Sequence, residues 1–217
     1  MKKLFLIIMS LSLLNQISAQ QIKVFPIFSV SSYQKFHTSI GYGIGYDIVS
    51  KSKNKFGFTF SQSFNSTDYS YIFSSDADGK DYYRDVKPKN KKLTFSTCYS
   101  FNIYNSPKSD FFIGPKIGIN YFKINESIVE RQVNESETQS YTNNYWENNK
   151  IGLGLSLEYE RNVLSDKLSL SFSTEPELIF FTKFALKGSS DPPPPIIGCL
   201  SFNLNVIFNL TKSKTTE

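Results

Sequence analysis

Alternation between large apolar residues and small or polar ones runs along almost the whole chain, and this period of two is the mark of strands rather than helices. The segment IGYGIGYDIV, residues 40–49, shows it most plainly: Ile40, Tyr42, Ile44, Tyr46 and Ile48 share one face, while Gly41, Gly43 and Gly45 leave much of the other bare. Seven further segments repeat the pattern. Ile22, Val24, Phe28 and Val30 form one such face; Phe56, Phe58, Phe60 and Phe64 another; then Leu93, Phe95, Tyr99, Phe101 and Ile103; then Phe111, Ile113, Ile117, Ile119 and Tyr121. Ile151 to Tyr159, Leu168 to Phe172 and Leu200 to Leu210 complete the set of eight strands. No helical periodicity and no low-complexity linker interrupts them, so residues 20–210 are read as one all-β domain.

The first 19 residues are a separate object. MKK is a basic start, LFLIIMSLSLL an apolar stretch of leader length, and NQISAQ a polar end with Ala19 at a suitable cleavage position. This is the composition of a secretory signal, and its apolar part is too short for a comfortable membrane helix. No Cys stands near the cut, which argues against a lipoprotein. Beyond it no apolar run reaches the roughly 18 residues that a spanning helix needs. If the mature chain crosses a membrane it does so as a closed barrel, the only other structure that satisfies every backbone group in lipid.

The connections support that reading. SKSKN (50–54), NSPKSD (105–110) and NVLSD (162–166) are tight turns. Residues 65–90 and 125–149 are long and polar, and KGSSDPPPP (187–195) is intermediate. Short and long connections alternate, so all tight turns fall at one end of an antiparallel barrel, as in outer-membrane barrels with short periplasmic turns and longer outer loops. An even strand number puts both termini at the short-turn end. Residues 211–217 are then a periplasmic tail.

The composition of the two faces decides which is outside. A soluble barrel would carry Lys, Glu, Asp and Gln on its polar face; here that face is mostly Gly, Ser, Thr and Asn. Small residues suit the interior of an eight-stranded barrel, which side chains just fill. The other face, rich in Phe and Tyr, suits lipid, and Tyr46, Tyr99, Tyr104, Tyr121 and Tyr159 are candidates for the aromatic girdles. The expected fold is thus an all-β, eight-stranded antiparallel up-and-down transmembrane β-barrel. Pro26, Pro115 and Pro176 lie inside strand patterns that have no free edge to accommodate them, which predicts bulges or strand ends there.

Together the segments MKKLFLIIMSLSLLNQISAQ, IGYGIGYDIV, FIGPKIGINYF and IGLGLSLEYERNV and the short-turn, long-loop rhythm make the chain resemble the small outer-membrane β-barrel family of Bacteroidetes-type bacteria and, more distantly, OmpA/OmpX-like eight-stranded barrels. The resemblance covers the mature chain and implies outer-membrane localisation, contact with outer-membrane lipid and insertion by the barrel-assembly machinery. Relatives of this shape include secretion or gliding accessories, porin-like proteins and adhesins, so it fixes an architecture and not an activity.

Charges on the inward face are the first candidate site. The alternation points Lys23, Asp47, Lys116, Glu158, Glu160 and Glu175 into the lumen, where ions must pair or hydrate. Such a network either plugs the barrel or gates an ion path; a wide solute pore does not fit eight strands. In the second polar segment Tyr141, Tyr145 and Trp146 are candidates for interaction with a partner or glycan, or for packing on the rim. His37 and Ser39 lie two apart on one strand face, which resembles membrane-barrel lipid A deacylases in having a His and a Ser near one another, but a catalytic serine also needs an orienting third group and no motif surrounds the pair, so a rim histidine is the reading adopted. DADGKD (76–81) has the beginning of a calcium loop but carries Lys87 where the twelfth-position glutamate belongs, and a solvated turn is the reading adopted. Cys98 and Cys199 form no metal-binding pattern. No metal, cofactor or nucleic acid is expected, despite the net charge of +5. The expected role is a non-enzymatic membrane anchor whose outer loops serve adhesion, structural or secretion-accessory contacts with an unknown extracellular or periplasmic partner. A narrow small-solute or ion channel is the alternative, and a secreted lipocalin-like binding barrel a more distant one.

Overall fold

The computed structural model describes residues 17–75, 79–133, 138–164, 167–180 and 196–210. Its strands are β1 (Ile17–Ser31), β2 (Thr38–Ser50), β3 (Lys55–Asn65), β4 (Tyr69–Ser74), β5 (Asp81–Pro88), β6 (Asn90–Asn105), β7 (Ser109–Gln132), β8 (Thr138–Leu164), β9 (Leu168–Phe180) and β10 (Ile196–Asn209). The sheet order is β4-β5-β7-β6-β3-β2-β1-β10-β9-β8, and β7 also pairs with β8. That last pairing closes β1, β2, β3, β6, β7, β8, β9 and β10 into an antiparallel ring of eight. Among the described residues no helix is long and apolar enough to cross a membrane.

The apolar face points out. Ile40 is 65 % exposed and Phe95 51 %, and Ile44, Phe58, Ile117, Leu153, Phe172 and Leu204 are exposed with them. In water so much exposed aromatic and aliphatic surface would be an aggregation site; around a closed ring it is a lipid-facing belt. The small-residue face turns inward: Ser29, Ser39, Ser63, Thr94, Ser171 and Asn205 are buried. Both ends of the described chain meet at the tight-turn end, where the Leu210 amide donates to the Gln20 carbonyl. Tyr99 is fixed there too, its hydroxyl accepting from Asn54 Nδ2 in the turn at 3.3 Å.

Pro26, Pro115 and Pro176 each sit at a gap in one ladder while the other ladder continues. Pro26 faces Tyr42 on β2, but β1 and β10 are unpaired between Val24 and Ile27. Pro115 faces Leu155 on β8 while β6 and β7 part between Cys98 and Phe101. Pro176 faces Leu200 on β10 while β8 and β9 part between Gly154 and Leu157. The missing N–H is placed on the side where no partner waits for it.

The fold departs from the expectation in the long connections. Residues 65–90 and 125–149 are not simple loops. β7 and β8 run for 24 and 27 residues, more than twice the roughly 9–11 that span a bilayer. Beyond the ring β7 exchanges its neighbour β6 for β5, with Lys87 opposite Ser127 and Tyr82 opposite Gln132. β4 then pairs with β5. The ring thus carries a four-stranded extension, β4-β5-β7-β8, on its loop side. β1 begins at Ile17, inside the segment read as a leader, and Ser18 Oγ donates to the Ser50 carbonyl at 2.8 Å. The tail 211–217, the polyproline tract and Asp76–Asp78 of the DADGKD turn lie outside the described residues.

Candidate functional site: a filled lumen and an outer sheet

The inward charges come together as ion pairs stacked along the lumen. Nearest the tight turns, Lys55 Nζ lies 2.5 Å from Glu160 Oε2 and 3.5 Å from Glu158 Oε1, over the ring of Phe112. Next, Lys23 Nζ meets Asp47 Oδ2 at 3.0 Å. Further along, Lys116 Nζ meets Glu175 Oε2 at 2.6 Å. Beyond it Lys92 Nζ approaches Glu177 Oε2 at 4.0 Å, and Asn120 Nδ2 donates to Glu177 Oε1 at 3.0 Å. Serines fill the intervals: Ser171 Oγ donates to Glu158, and Asn205 Nδ2 donates to Ser171 Oγ. Two polar voids of about 20 Å³ remain between these pairs, each with room for about one water molecule.

All six charges read from sequence, Lys23, Asp47, Lys116, Glu158, Glu160 and Glu175, therefore face the lumen. Lys55, Lys92 and Glu177 complete the pairs and are absent from that set. Their signal is present in the chain: Lys55 is two before Gly57, Lys92 two before Thr94, and Glu177 two after Glu175, all on the inward parity. The bare face of IGYGIGYDIV has its explanation here. A Cβ on Gly45 would meet Lys23 Cε at 2.6 Å, and one on Gly43 would meet the Phe25 ring at 2.5 Å. β2 leaves out side chains where β1 sends long ones across the lumen.

Above the ion pairs the loop-side mouth is closed by an apolar cap. Tyr33 and Phe36, from the connection that contains the short turn of 3-10 helix Gln34–Phe36, pack with Phe122, Ile124, Ile179, Ile197 and Cys199. Phe36 meets Phe122 edge to face at 4.9 Å. Polar groups tie the connection down. Asn65 and Asn90 both donate side-chain N–H groups to the Lys35 carbonyl, and Lys35 Nζ lies 3.4 Å from the buried Glu126. The ion pairs thus fill the lumen around two small voids, and the rings cover its loop-side mouth.

His37 and Ser39 do not form a dyad. Ser39 Oγ shares a 2.6 Å hydrogen bond with Ser29 Oγ inside the wall, while exposed His37 turns its Nδ1 to the Ser31 carbonyl at 3.0 Å. Cys98 and Cys199 are free thiols.

The outer sheet carries its own network. Tyr69, Tyr71, Phe73 and Tyr82 form a run of rings, with Tyr69 and Tyr71 stacked at 6.2 Å and Phe73 and Tyr82 at 5.7 Å. Arg84 lies against Tyr71 and Phe73, donates to the Tyr71 hydroxyl at 2.6 Å and pairs with Glu130. Tyr141 donates its hydroxyl to Glu130 Oε1 at 2.6 Å. Burial first, and this hydrogen bond second, push the Tyr141 hydroxyl above the ordinary tyrosine range. Of the three aromatic residues singled out from sequence, Tyr141 thus belongs to the sheet. Tyr145 and Trp146 lie in β8 opposite Ile124 and Lys123, and their side chains lie outside the described residues. β4 is the sheet's edge, and its outer side has no strand partner among the described residues.

No family model matches the chain, and no curated protein matches it. Solved structures do. Neisserial surface protein A (NspA) superposes with a TM-score of 0.56 at 9 % identity, over 87 % of this chain and 96 % of that one. A major outer membrane protein from Thermus thermophilus superposes at 0.53 and 13 % identity, over 88 % of this chain and the whole of the other. At these identities the likeness establishes the shared barrel fold.

Proposed function

We propose that the chain is an outer-membrane anchor: a filled, non-conducting barrel that holds a rigid β-sheet above the outer leaflet for contact with a partner. The observation that carries this reading is the continuity of β7 and β8 from the lipid belt into the β4-β5-β7-β8 sheet. β7 continues nine residues past Lys123, its last partner on β6, and β8 runs thirteen residues before Ile151, its first partner on β9, which is about 30 Å and about 45 Å of extended chain. A loop that only closes a barrel needs none of this.

The leader is cut after Ala19, the barrel-assembly machinery inserts the rest, and the short turns face the periplasm. β4 is the contact edge. YSYIFS, Tyr69–Ser74, carries no Lys, Pro or Gly, so it lacks the devices that blunt an exposed edge strand. An edge of this kind accepts an extended segment of another protein through main-chain hydrogen bonds. The channel alternative is disfavoured by the stacked ion pairs and the apolar cap.

Cell fractionation with boiled and unboiled gel samples tests the anchor. Outer-membrane recovery with a heat-dependent mobility shift is expected; a soluble species without a shift overturns it. Cells displaying the wild type or an Ile72→Pro variant are then compared for autoaggregation and surface attachment. Equal behaviour of the two, with both barrels heat-shifting normally, removes β4 as the contact edge.

A further inference from the structure

The lysines of VKPKNKKL fall into two sets with opposite surroundings. Lys92 points into the lumen toward Glu177. Lys87, Lys89 and Lys91 are exposed and make no ion pair among the described residues. They share the outer face, since Lys87 lies opposite Ser127, the Lys89 amide donates to the Asn125 carbonyl, and Lys91 lies opposite Lys123. Alternate residues of a strand are about 6.6 Å apart, so three ammonium groups climb one face in even steps. The fourth, on Lys123, stands directly across from Lys91. The nearest carboxylate further up β5 on this face, Asp85, is engaged by Ser70 Oγ at 2.5 Å.

The depth of this row identifies its counter-ion. The next outward residues toward the membrane are Leu93 on β6 and Tyr121 on β7, then Phe95 and Ile119, which are 51 % and 43 % exposed in the lipid belt. Lys91 and Lys123 therefore stand one alternation step above the last apolar rung, at headgroup level, with the Lys91 ammonium over the Phe64 ring at 5.5 Å. Basic residues at that depth attract anionic lipid headgroups.

We infer that Lys87, Lys89, Lys91 and Lys123 form a site on the outer wall of the barrel for the phosphate groups of an outer-leaflet glycolipid, whose acyl chains lie along Leu93, Phe95, Ile119 and Tyr121. This rests on the outer-membrane reading. The lipid belongs to the lipid A class, with phosphate on a diacylated or polyacylated sugar headgroup. The site holds one lipid against the base of the outer sheet.

The test uses the full chain folded in detergent and native mass spectrometry with bis-phosphorylated lipid A or the same lipid dephosphorylated. The wild type should retain the phosphorylated form at least tenfold more than the other. A K87Q/K89Q/K91Q variant should lose about tenfold in retention. A K51Q/K53Q/K108Q variant, which removes equal charge at the tight-turn end, should not. Equal retention of the two lipids by the wild type overturns the site, as does undiminished retention by K87Q/K89Q/K91Q. Displacement of lipid A by a soluble anionic glycan such as heparin would overturn the assignment to lipid. The heat-dependent mobility shift, read on the same samples, reports separately on the barrel: its absence fails the outer-membrane reading, whereas a shift without lipid selectivity fails only the site.

Discussion

Gly152 and Glu177 occupy one volume between them: a Cβ built on Gly152 would come within 1.6 Å of Glu177 Oε1 and 2.9 Å of Asn120 Nδ2. The glycine on β8 is the space into which β9 sends a carboxylate, and that carboxylate accepts from Asn120 and faces Lys92. The contact is with the far end of a flexible side chain. At Gly114 the obstacle is different, because a Cβ there would meet the Tyr99 carbonyl oxygen, part of the backbone, at 1.8 Å. We expect Gly114→Ala to destabilise the barrel by about 1–3 kcal/mol, as overpacking does. Gly152→Ala should cost less and act by turning Glu177 away from Asn120. Urea unfolding in detergent, followed by the heat-dependent shift, ranks the two variants, and the reverse order would show that Glu177 cannot move aside.

Lys55 is the second test. It is the lysine paired with both Glu158 and Glu160, and all three side chains are nearly inaccessible. Removing one partner of a buried pair strands the other charge, at a cost of roughly 3–5 kcal/mol. Lys55→Ala should lower the unfolding midpoint strongly. Lys53→Ala, which removes an exposed lysine 3.5 Å from Asp110, should change it little, since exposed pairs contribute about 0–1 kcal/mol. Similar midpoints for the two variants would mean that Glu158 and Glu160 find water in place of Lys55.

Much of this is legible in the sequence, and what is not has a physical reason. Parity alone places Lys23, Asp47, Lys116, Glu158, Glu160 and Glu175 in the lumen, because a period of two fixes the face of every residue in a strand. Lys55, Lys92 and Glu177 fall at the ends of the segments, where a turn or a proline stops the pattern one step early. The outer sheet is harder to see. Above the lipid one face of β7 still buries Ile124 and Ile128, but the charged Glu126 is buried between them, so residues 125–149 lack the apolar contrast that marks a strand below. The exchange of β6 for β5 at β7 depends on pairing between distant segments and leaves no local trace. The cap of Tyr33 and Phe36 hides in a short connection because two inward rings form no period.

The cap and the ion pairs act in series, which gives a third prediction. The wild type in planar bilayers should show no stable conductance steps. Tyr33→Ala with Phe36→Ala removes the cap at the mouth but leaves the Lys116–Glu175 and Lys23–Asp47 pairs in place, so it too should stay closed. Steady steps from the wild type would revive the channel reading. Steps from the double variant alone would make the rings, not the ion pairs, the barrier.

Tyr141 provides the last prediction, in the outer sheet. Its hydroxyl donates to Glu130, which also holds Arg84, and its proton is bound more tightly in the folded chain than in an unfolded one. A group with a raised folded pKa contributes stability that is fully present below its unfolded value, about 10 for tyrosine, and lost as the pH rises through the folded value. The hydrogen bond from Tyr141 to Glu130 should therefore survive at a pH of about 10 and fail only in stronger alkali. Phenolate absorbance in an alkaline titration, compared between the wild type and Tyr141→Phe, isolates this group. The difference spectrum should appear late, after most of the phenolate signal has developed. In Glu130→Gln the carboxylate that repels the phenolate is gone, so the difference should move to lower pH. A Tyr141 difference signal that develops together with the bulk of the phenolate signal would mean that Glu130 is not its partner in solution, and that the outer sheet is looser than the Arg84–Glu130–Tyr141 chain requires.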